Sequence, residues 1–171
     1  SVPAKTGSAG TFLVRPNQPI MITSSGIQSL RAGVIGTGFI GPVHVEALRR
    51  LGVSVAAICD VADLGTKAAA KLGIPRAFAD YRELLACPEV DVVHITTPNR
   101  FHTEMSLAAL RAGKHVVCEK PLAMNTRETA QIVRTVRATK KIFAVNYNVR
   151  FYPAVLQLHR LVARGDFGDI I

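Results

Sequence analysis

Ala32-Gly33-Val34-Ile35-Gly36-Thr37-Gly38-Phe39-Ile40-Gly41 is the stretch that decides the fold. A short apolar run ends in a Gly-x-Gly-x-x-Gly turn, and the residues that follow place Val43, Ala47 and Leu51 at helical spacing as the expected inward face. Strand, glycine turn and amphipathic helix in that order are the dinucleotide fingerprint. Gly36 would permit the tight turn, Gly38 the approach of a pyrophosphate to bare backbone, and Gly41 close packing of helix on strand. Phe39 and Ile40 complete the expected phosphate-contacting turn, at a helix N-terminus whose N–H groups and partial positive charge suit phosphate. A glycine turn with no ligand is the bland alternative.

Downstream, Val55-Ala56-Ala57-Ile58-Cys59 reads as the next strand and delivers Asp60 at its end. An acid about 20 residues beyond the glycines accepts from the adenosine ribose hydroxyls and repels a 2′-phosphate. NAD is therefore favoured, with NADP kept open because Lys67 could offset part of that repulsion. The plainer reading of Asp60 is a turn cap.

The same alternation continues along the chain. Strands are predicted near 31–35, 54–59, 91–95, 115–118 and 142–146, rich in the Val and Ile that suit strands buried on both faces. Between them, Phe101, Met105, Ala108 and Ala112 predict a helix over 100–112 that stops at Gly113. Asp80 with Glu83, and Asn125 with Glu128, resemble capping boxes. A last helix is predicted from Pro153 to Gly165, with Val155, Leu158 and Val162 inward. The fold class is α/β: a doubly wound parallel sheet with helices on both faces, of Rossmann type. Residues 1–29 have no sustained period, hold only Lys5 and Arg15 as charged side chains, and read as a flexible leader, with Met21 a plausible natural start.

Composition narrows the function classes. Of 171 residues, 49% are hydrophobic, enough for one well-filled domain. The formal net charge of +9 invites a nucleic-acid reading, but basic and acidic residues are interspersed after Arg31, Trp is absent and the aromatics are scattered. No nucleic-acid partner is expected. Cys59, Cys87 and Cys118 are odd in number and lack metal-site spacing, so buried reduced thiols in a reducing, cytoplasmic setting are expected. His44, His94, His115 and His159 fit helix or strand interiors better than metal ligation, and no apolar run is long enough for a membrane span.

Asp91-Val92-Val93-His94-Ile95-Thr96-Thr97-Pro98-Asn99 with His102, then Ala112-Gly113-Lys114-His115-Val116-Val117-Cys118-Glu119-Lys120-Pro121, and Asn146-Tyr147-Asn148-Val149-Arg150-Phe151-Tyr152-Pro153 come in that order. Together with the fingerprint they resemble the Gfo/Idh/MocA family of oxidoreductases. The resemblance runs from about Leu30 to the end of the chain. It implies a nucleotide domain over 30–150 and, over 151–171, a connecting helix and the start of a substrate domain that the chain does not contain. In that reading the sequence is a fragment or truncated, and the family's catalytic His segment cannot be carried over. A homo-oligomer stays open if the second domain exists, since that domain often carries the interface.

The resemblance further implies that Lys120 lies beside the nicotinamide and hydrogen-bonds the reacting hydroxyl, where a cation stabilises a developing alkoxide. Glu119 would accept from the nicotinamide ribose, Thr97, Pro98 and Asn99 would line the dinucleotide with His102 packed near it, and Asn148 and Arg150 would reach the nicotinamide or substrate edge. The plainer readings are a solvated Lys120, a capping Asn99 and a surface His102. The expected function is hydride transfer between NAD(P) and a sugar, inositol or related polyol, this chain supplying the cofactor-binding half. The alternative is a nucleotide-sensing protein without turnover.

Overall fold

In the computed structural model, which describes residues 29–168, the fingerprint strand β1 (Arg31–Ile35) lies near the middle of the sheet. Around it are β2 (Ser54–Cys59), β3 (Ala77–Phe78), β4 (Val92–Ile95), β5 (His115–Glu119) and β6 (Phe143–Asn146). Their order is β3-β2-β1-β4-β5-β6, with every pairing parallel. That is the doubly wound order, reversing direction at β1, where such sheets bind ligands. The leader expected over 1–29 falls outside the described residues but for Ser29.

Helices α1 (Gly41–Arg50), α2 (Leu64–Leu72), α3 (Tyr81–Ala86), α4 (His102–Arg111) and α5 (Thr126–Thr139) connect the strands, and α6 (Pro153–Ala163) follows β6. Alternate strand residues feed two separate cores. Ala32, Val34, Val55 and Ile58 pack with Val45, Leu48 and Ala69 of α1 and α2. Ile35, Ala57, Val93, Ile95, Val116 and Cys118 pack with Leu84, Leu107, Leu110 and Ile132 of α3, α4 and α5. Burial on both faces is why these strands read as unbroken apolar runs.

Two inward faces differ from expectation. On α1 the buried residues are Gly41, His44, Val45 and Leu48, whereas Val43 and Leu51 are exposed, as is Ala47. The helix begins at Gly41 against the turn, and counting 3.6 residues per turn from that contact brings Val45 and Leu48 onto the sheet. On α6 no residue is buried: Val155 is half-buried, while Leu158 and Val162 are exposed, because nothing among the described residues packs across them.

Local signals fared better. Asn125 accepts from the Glu128 N–H at 3.0 Å and donates to its carboxylate at 2.9 Å, a reciprocal cap. Asp80 caps through the N–H of Arg82 instead of Glu83. The helix expected over 100–112 opens as a 3-10 turn, Asn99–Phe101, and Gly113 ends it at φ 75. Strand β3 and helix α2 were not foreseen, β3 because two residues carry no readable period. All three cysteines are free and buried, and burial pushes the Cys59 and Cys118 thiols up to about 12. No helix among the described residues is long and apolar enough to cross a membrane.

Candidate dinucleotide site

Register brings the functional loops to one level. Ile35 pairs with Cys59 on one side and Ile95 on the other, and Ile95 pairs with Cys118. Gly36, Asp60, Thr96 and Glu119 therefore leave four neighbouring strands together, at the carboxyl edge where open parallel sheets bind ligands.

The three glycines stand in different surroundings. Gly36 has φ +101, and a Cβ there would meet the Thr96 backbone at 2.8 Å. A Cβ on Gly41 would run into the Gly36 carbonyl oxygen, so helix and turn are in contact. A Cβ on Gly38 meets nothing within 4 Å, leaving open space beside the turn. Thr96, which the sequence did not single out, pins this turn by donating its hydroxyl to the carbonyls of Ile35 (3.0 Å) and Gly36 (2.8 Å). Phe39 is 94% exposed and Ile40 half-buried at the start of α1, where Pro42 has no N–H and the N–H groups of Gly41 and Val43 precede the first helical bond, from His44 to Ile40.

Asp60 is oriented from three directions. Its Oδ2 accepts the N–H of Thr37 at 2.6 Å and the Thr37 hydroxyl at 2.5 Å, and its Oδ1 accepts the N–H of Val61 at 2.7 Å. Lys67, considered as an offset to this charge, pairs with Asp63 one helical turn away. Beside them opens a cavity of about 570 Å³, walled by Asp60 and Val61 from the β2 exit and by Thr97, Pro98, Arg100 and Phe101 from the β4 exit. The space, the carboxylate and the bare glycine turn fit a dinucleotide. Arg100 and Phe101 were missed as site residues because Phe101 also fits the helical stripe.

His102 is fully buried, with Nδ1 2.7 Å from the Pro121 carbonyl oxygen and Nε2 2.9 Å from that of Thr97. It ties the β4 exit to the β5 exit from behind. Pro98, Asn99 and Lys120 are exposed and Thr97 half-buried, as a ligand-facing rim requires. Asn148 and Arg150 are exposed past β6, in the 3-10 turn Asn148–Phe151, and Asn148 lines a groove with His94, Val117 and Asn146.

Glu119 points inward, 8% exposed. Its Oε1 accepts from Asn146 Nδ2 at 2.6 Å and faces His44 Nε2 at 3.1 Å, while Oε2 accepts the N–H of Lys120 at 3.0 Å. Burial works to raise this carboxyl, but the bonds from Asn146, His44 and the Lys120 N–H outweigh it and hold it below the ordinary carboxylate value. The ribose expected at Glu119 meets a carboxylate already engaged on both oxygens. His115 is half-buried, accepting the N–H of Ile142 at 3.0 Å, and His159 is exposed instead of interior. Among the described residues no three His, Cys, Asp or Glu side chains form a metal-holding group.

Comparison with known proteins identifies the family of the fold. The family model for Gfo/Idh/MocA, described as an oxidoreductase family with an NAD-binding Rossmann fold, matches residues 30–147. Levoglucosan dehydrogenase of Pseudarthrobacter phenanthrenivorans is 32% identical over 155 residues, 85% of this chain and 40% of that protein. Myo-inositol 2-dehydrogenase of Thermotoga maritima is 34% identical over 141 residues, 81% of this chain and 42% of that protein. A structure of levoglucosan dehydrogenase in complex with NADH and levoglucosan superimposes with a TM-score of 0.76 at 32% identity, covering 83% of this chain and 41% of that one. The chain thus spans about two fifths of the length of the relatives it matches.

Proposed function

Because this chain belongs to the Gfo/Idh/MocA oxidoreductase family and carries its NAD-binding Rossmann domain, we propose that it supplies the cofactor half of a dehydrogenase acting on a sugar or polyol. The observation that carries the reading is the shared level of the four strand exits, which sets the glycine turn, Asp60, Thr97 and Lys120 along one edge. When bound, NAD supplies the hydride acceptor.

The chain's own residues do the rest. The backbone from Gly36 through Gly38, Phe39, Ile40 and Gly41 holds the pyrophosphate at the α1 N-terminus, and Asp60 accepts from the adenosine ribose. Thr97, Pro98 and Asn99 line the other wall, held by His102 behind them. Lys120 donates to the reacting hydroxyl of the substrate and stabilises the alkoxide character that develops as a separate base takes the hydroxyl proton. Asn148 and Arg150 border the substrate edge, and the region from about 151 leads towards a substrate domain. Placement of the hydroxyl against Lys120 is the chief contribution of such a site.

Fluorescence titration with NADH, followed by NADH formation across inositols and anhydrosugars, tests the proposal. Saturable NADH binding is expected from this chain, and polyol-dependent NADH formation only from a form that also carries a substrate domain. Absence of NADH binding would overturn the proposal, and binding without turnover on any polyol in that longer form would favour the nucleotide-sensing alternative.

A further inference from the structure

On the α1 side of the sheet, buried His44 and Glu119 join half-buried His94 and Asn146 in a polar cluster that neither the fingerprint nor the lysine motif explains. His94 of β4, Glu119 of β5 and Asn146 of β6 all point to this side, since their neighbours Ile95, Cys118 and Val145 face the opposite way. Glu119 and Asn146 are register partners, and α1 lowers His44 between them and His94. The His44 and Glu119 side chains are only 8% and 10% exposed. His44 Nε2 lies 3.1 Å from Glu119 Oε1, and His44 Nδ1 lies 2.9 Å from His94 Nδ1, the two rings meeting edge to face at 81°.

Hydrogen-bond chemistry restricts this arrangement. An ionised carboxylate only accepts, so His44 Nε2 must carry a hydrogen towards Glu119. A bare Nε2 would accept from Asn146 Nδ2, 3.2 Å away, yet would still set a lone pair against Glu119 Oε1 at 3.1 Å in a largely buried site, at high cost. His44 Nδ1 then meets His94 Nδ1, where one ring donates and the other accepts. Burial first, and His44 second, push His94 down to about 4, so its ring is neutral near pH 7 and carries a single hydrogen. His94 thus braces His44 from behind.

We infer that His44 is the positioning residue of the lysine motif: its Nε2–H fixes the Glu119 carboxylate, and Glu119 in turn fixes the backbone N–H of Lys120. The chain of contacts runs His94, His44, Glu119, Lys120, with Asn146 as the second donor to Glu119. Glu119 therefore acts through the backbone that carries Lys120. The consequence for turnover rests on the role of Lys120 proposed above; the contacts themselves do not.

The test uses the cofactor-free chain, so that its failure is distinguishable from failure of the dehydrogenase reading. Long-range proton–nitrogen spectra of the imidazoles are expected to show His44 protonated at Nε2, and carbon spectra to show Glu119 titrating below the ordinary range. His44→Phe, which keeps a ring but no donor, is expected to raise the Glu119 midpoint by about one pH unit or more, the scale for losing a donor to a buried carboxylate. It is also expected to move the Lys120 amide proton upfield. His44→Gln, whose amide can reach the same oxygen, is expected to restore both signals, with the Thr37 amide at Asp60 as the unmoved control. A His44 ring with bare Nε2 in the unaltered chain would overturn the inference, as would unchanged Glu119 and Lys120 signals in a folded His44→Phe chain. The imidazole spectrum decides the matter even if that variant fails to fold.

Discussion

Thr37 and Asp60 are joined twice, the backbone N–H and the hydroxyl of the turn residue both donating to one carboxylate oxygen, Oδ2, at 2.6 and 2.5 Å. The contact spans 23 residues of sequence and locks the fingerprint turn to the end of the neighbouring strand. In the proposed cofactor placement, it also sets a negative charge where an adenosine 2′-phosphate would lie.

That charge is expected to set cofactor choice. Asp60→Asn removes it while keeping one acceptor oxygen, which serves either Thr37 or Val61 but not both, and Asp60→Ala removes both oxygens. NADH should bind the unaltered chain more tightly than NADPH. Asp60→Asn should narrow the gap mainly by improving NADPH, whereas Asp60→Ala should also weaken NADH by about tenfold or more, since a hydrogen bond to a charged group contributes about 1.5–3 kcal/mol. Parallel fluorescence titrations measure both, and tighter NADPH binding by the unaltered chain would refute the assignment.

Gly38 and Gly41 are expected to fail in opposite ways. An added methyl at Gly41 must displace the Gly36 carbonyl and also comes within 3.3 Å of the Thr96 hydroxyl, and backbone yields less readily than a flexible side chain. Gly41→Ala should cost roughly 3 kcal/mol, a drop in Tm on the order of 10 °C. Gly38→Ala meets nothing in the protein, so Tm should barely move while NADH affinity falls through a clash with the pyrophosphate. Calorimetry with NADH titration separates the two, and equal loss of Tm in both variants would contradict this division.

Much of this was legible in the sequence because the relevant signals are local. The Gly36–Gly41 turn, Asp60 and the apolar strand runs each declare themselves within a few residues. Where two faces compete, the pattern misleads: Val43, Ala47 and Leu51 keep a helical spacing as regular as that of the residues that pack on the sheet, and only the contact of Gly41 with Gly36 settles which face turns inward. The His44–Glu119 contact could not be read at all, since it joins residues 75 apart whose facing follows from strand parity and register across β4, β5 and β6. Thr96 was hidden likewise, as its hydroxyl works on carbonyls 60 and 61 residues away.

His94 should make the fold sensitive to mild acid. Burial and the neighbouring His44 lower its pKa from 6.5 to about 4 in the folded chain. Above pH 6.5 both folded and unfolded chains hold a neutral ring, and His94 contributes no pH dependence. Between there and pH 4 the unfolded chain binds a proton that the folded chain refuses, so stability falls as pH falls. The whole window is worth about 3 kcal/mol, of which about 2 kcal/mol is lost by pH 5. Urea unfolding at pH 7 and pH 5 should show that loss, and His94→Asn, which cannot titrate, should show a correspondingly smaller one. An identical loss in the variant would show that His94 does not govern it.

Lys120 should matter for chemistry far more than for folding. Its side chain is exposed at the rim, while its backbone N–H is held by Glu119, so truncating the side chain leaves the anchoring bond in place. Lys120→Ala should therefore change Tm little and leave NADH binding largely intact, because in the proposed site the glycine turn and Asp60 carry the distal part of the cofactor. In a form of the protein that oxidises a polyol, kcat should fall by a factor on the order of 100 or more, the usual scale for losing one group that stabilises a developing alkoxide. Lys120→Arg keeps the charge but not the compact ammonium geometry and should recover only part of the rate. Steady-state NADH formation with Tm and NADH affinity measured in parallel checks all three expectations. An unchanged kcat in Lys120→Ala would make this lysine an ordinary solvated side chain and would remove it from the site.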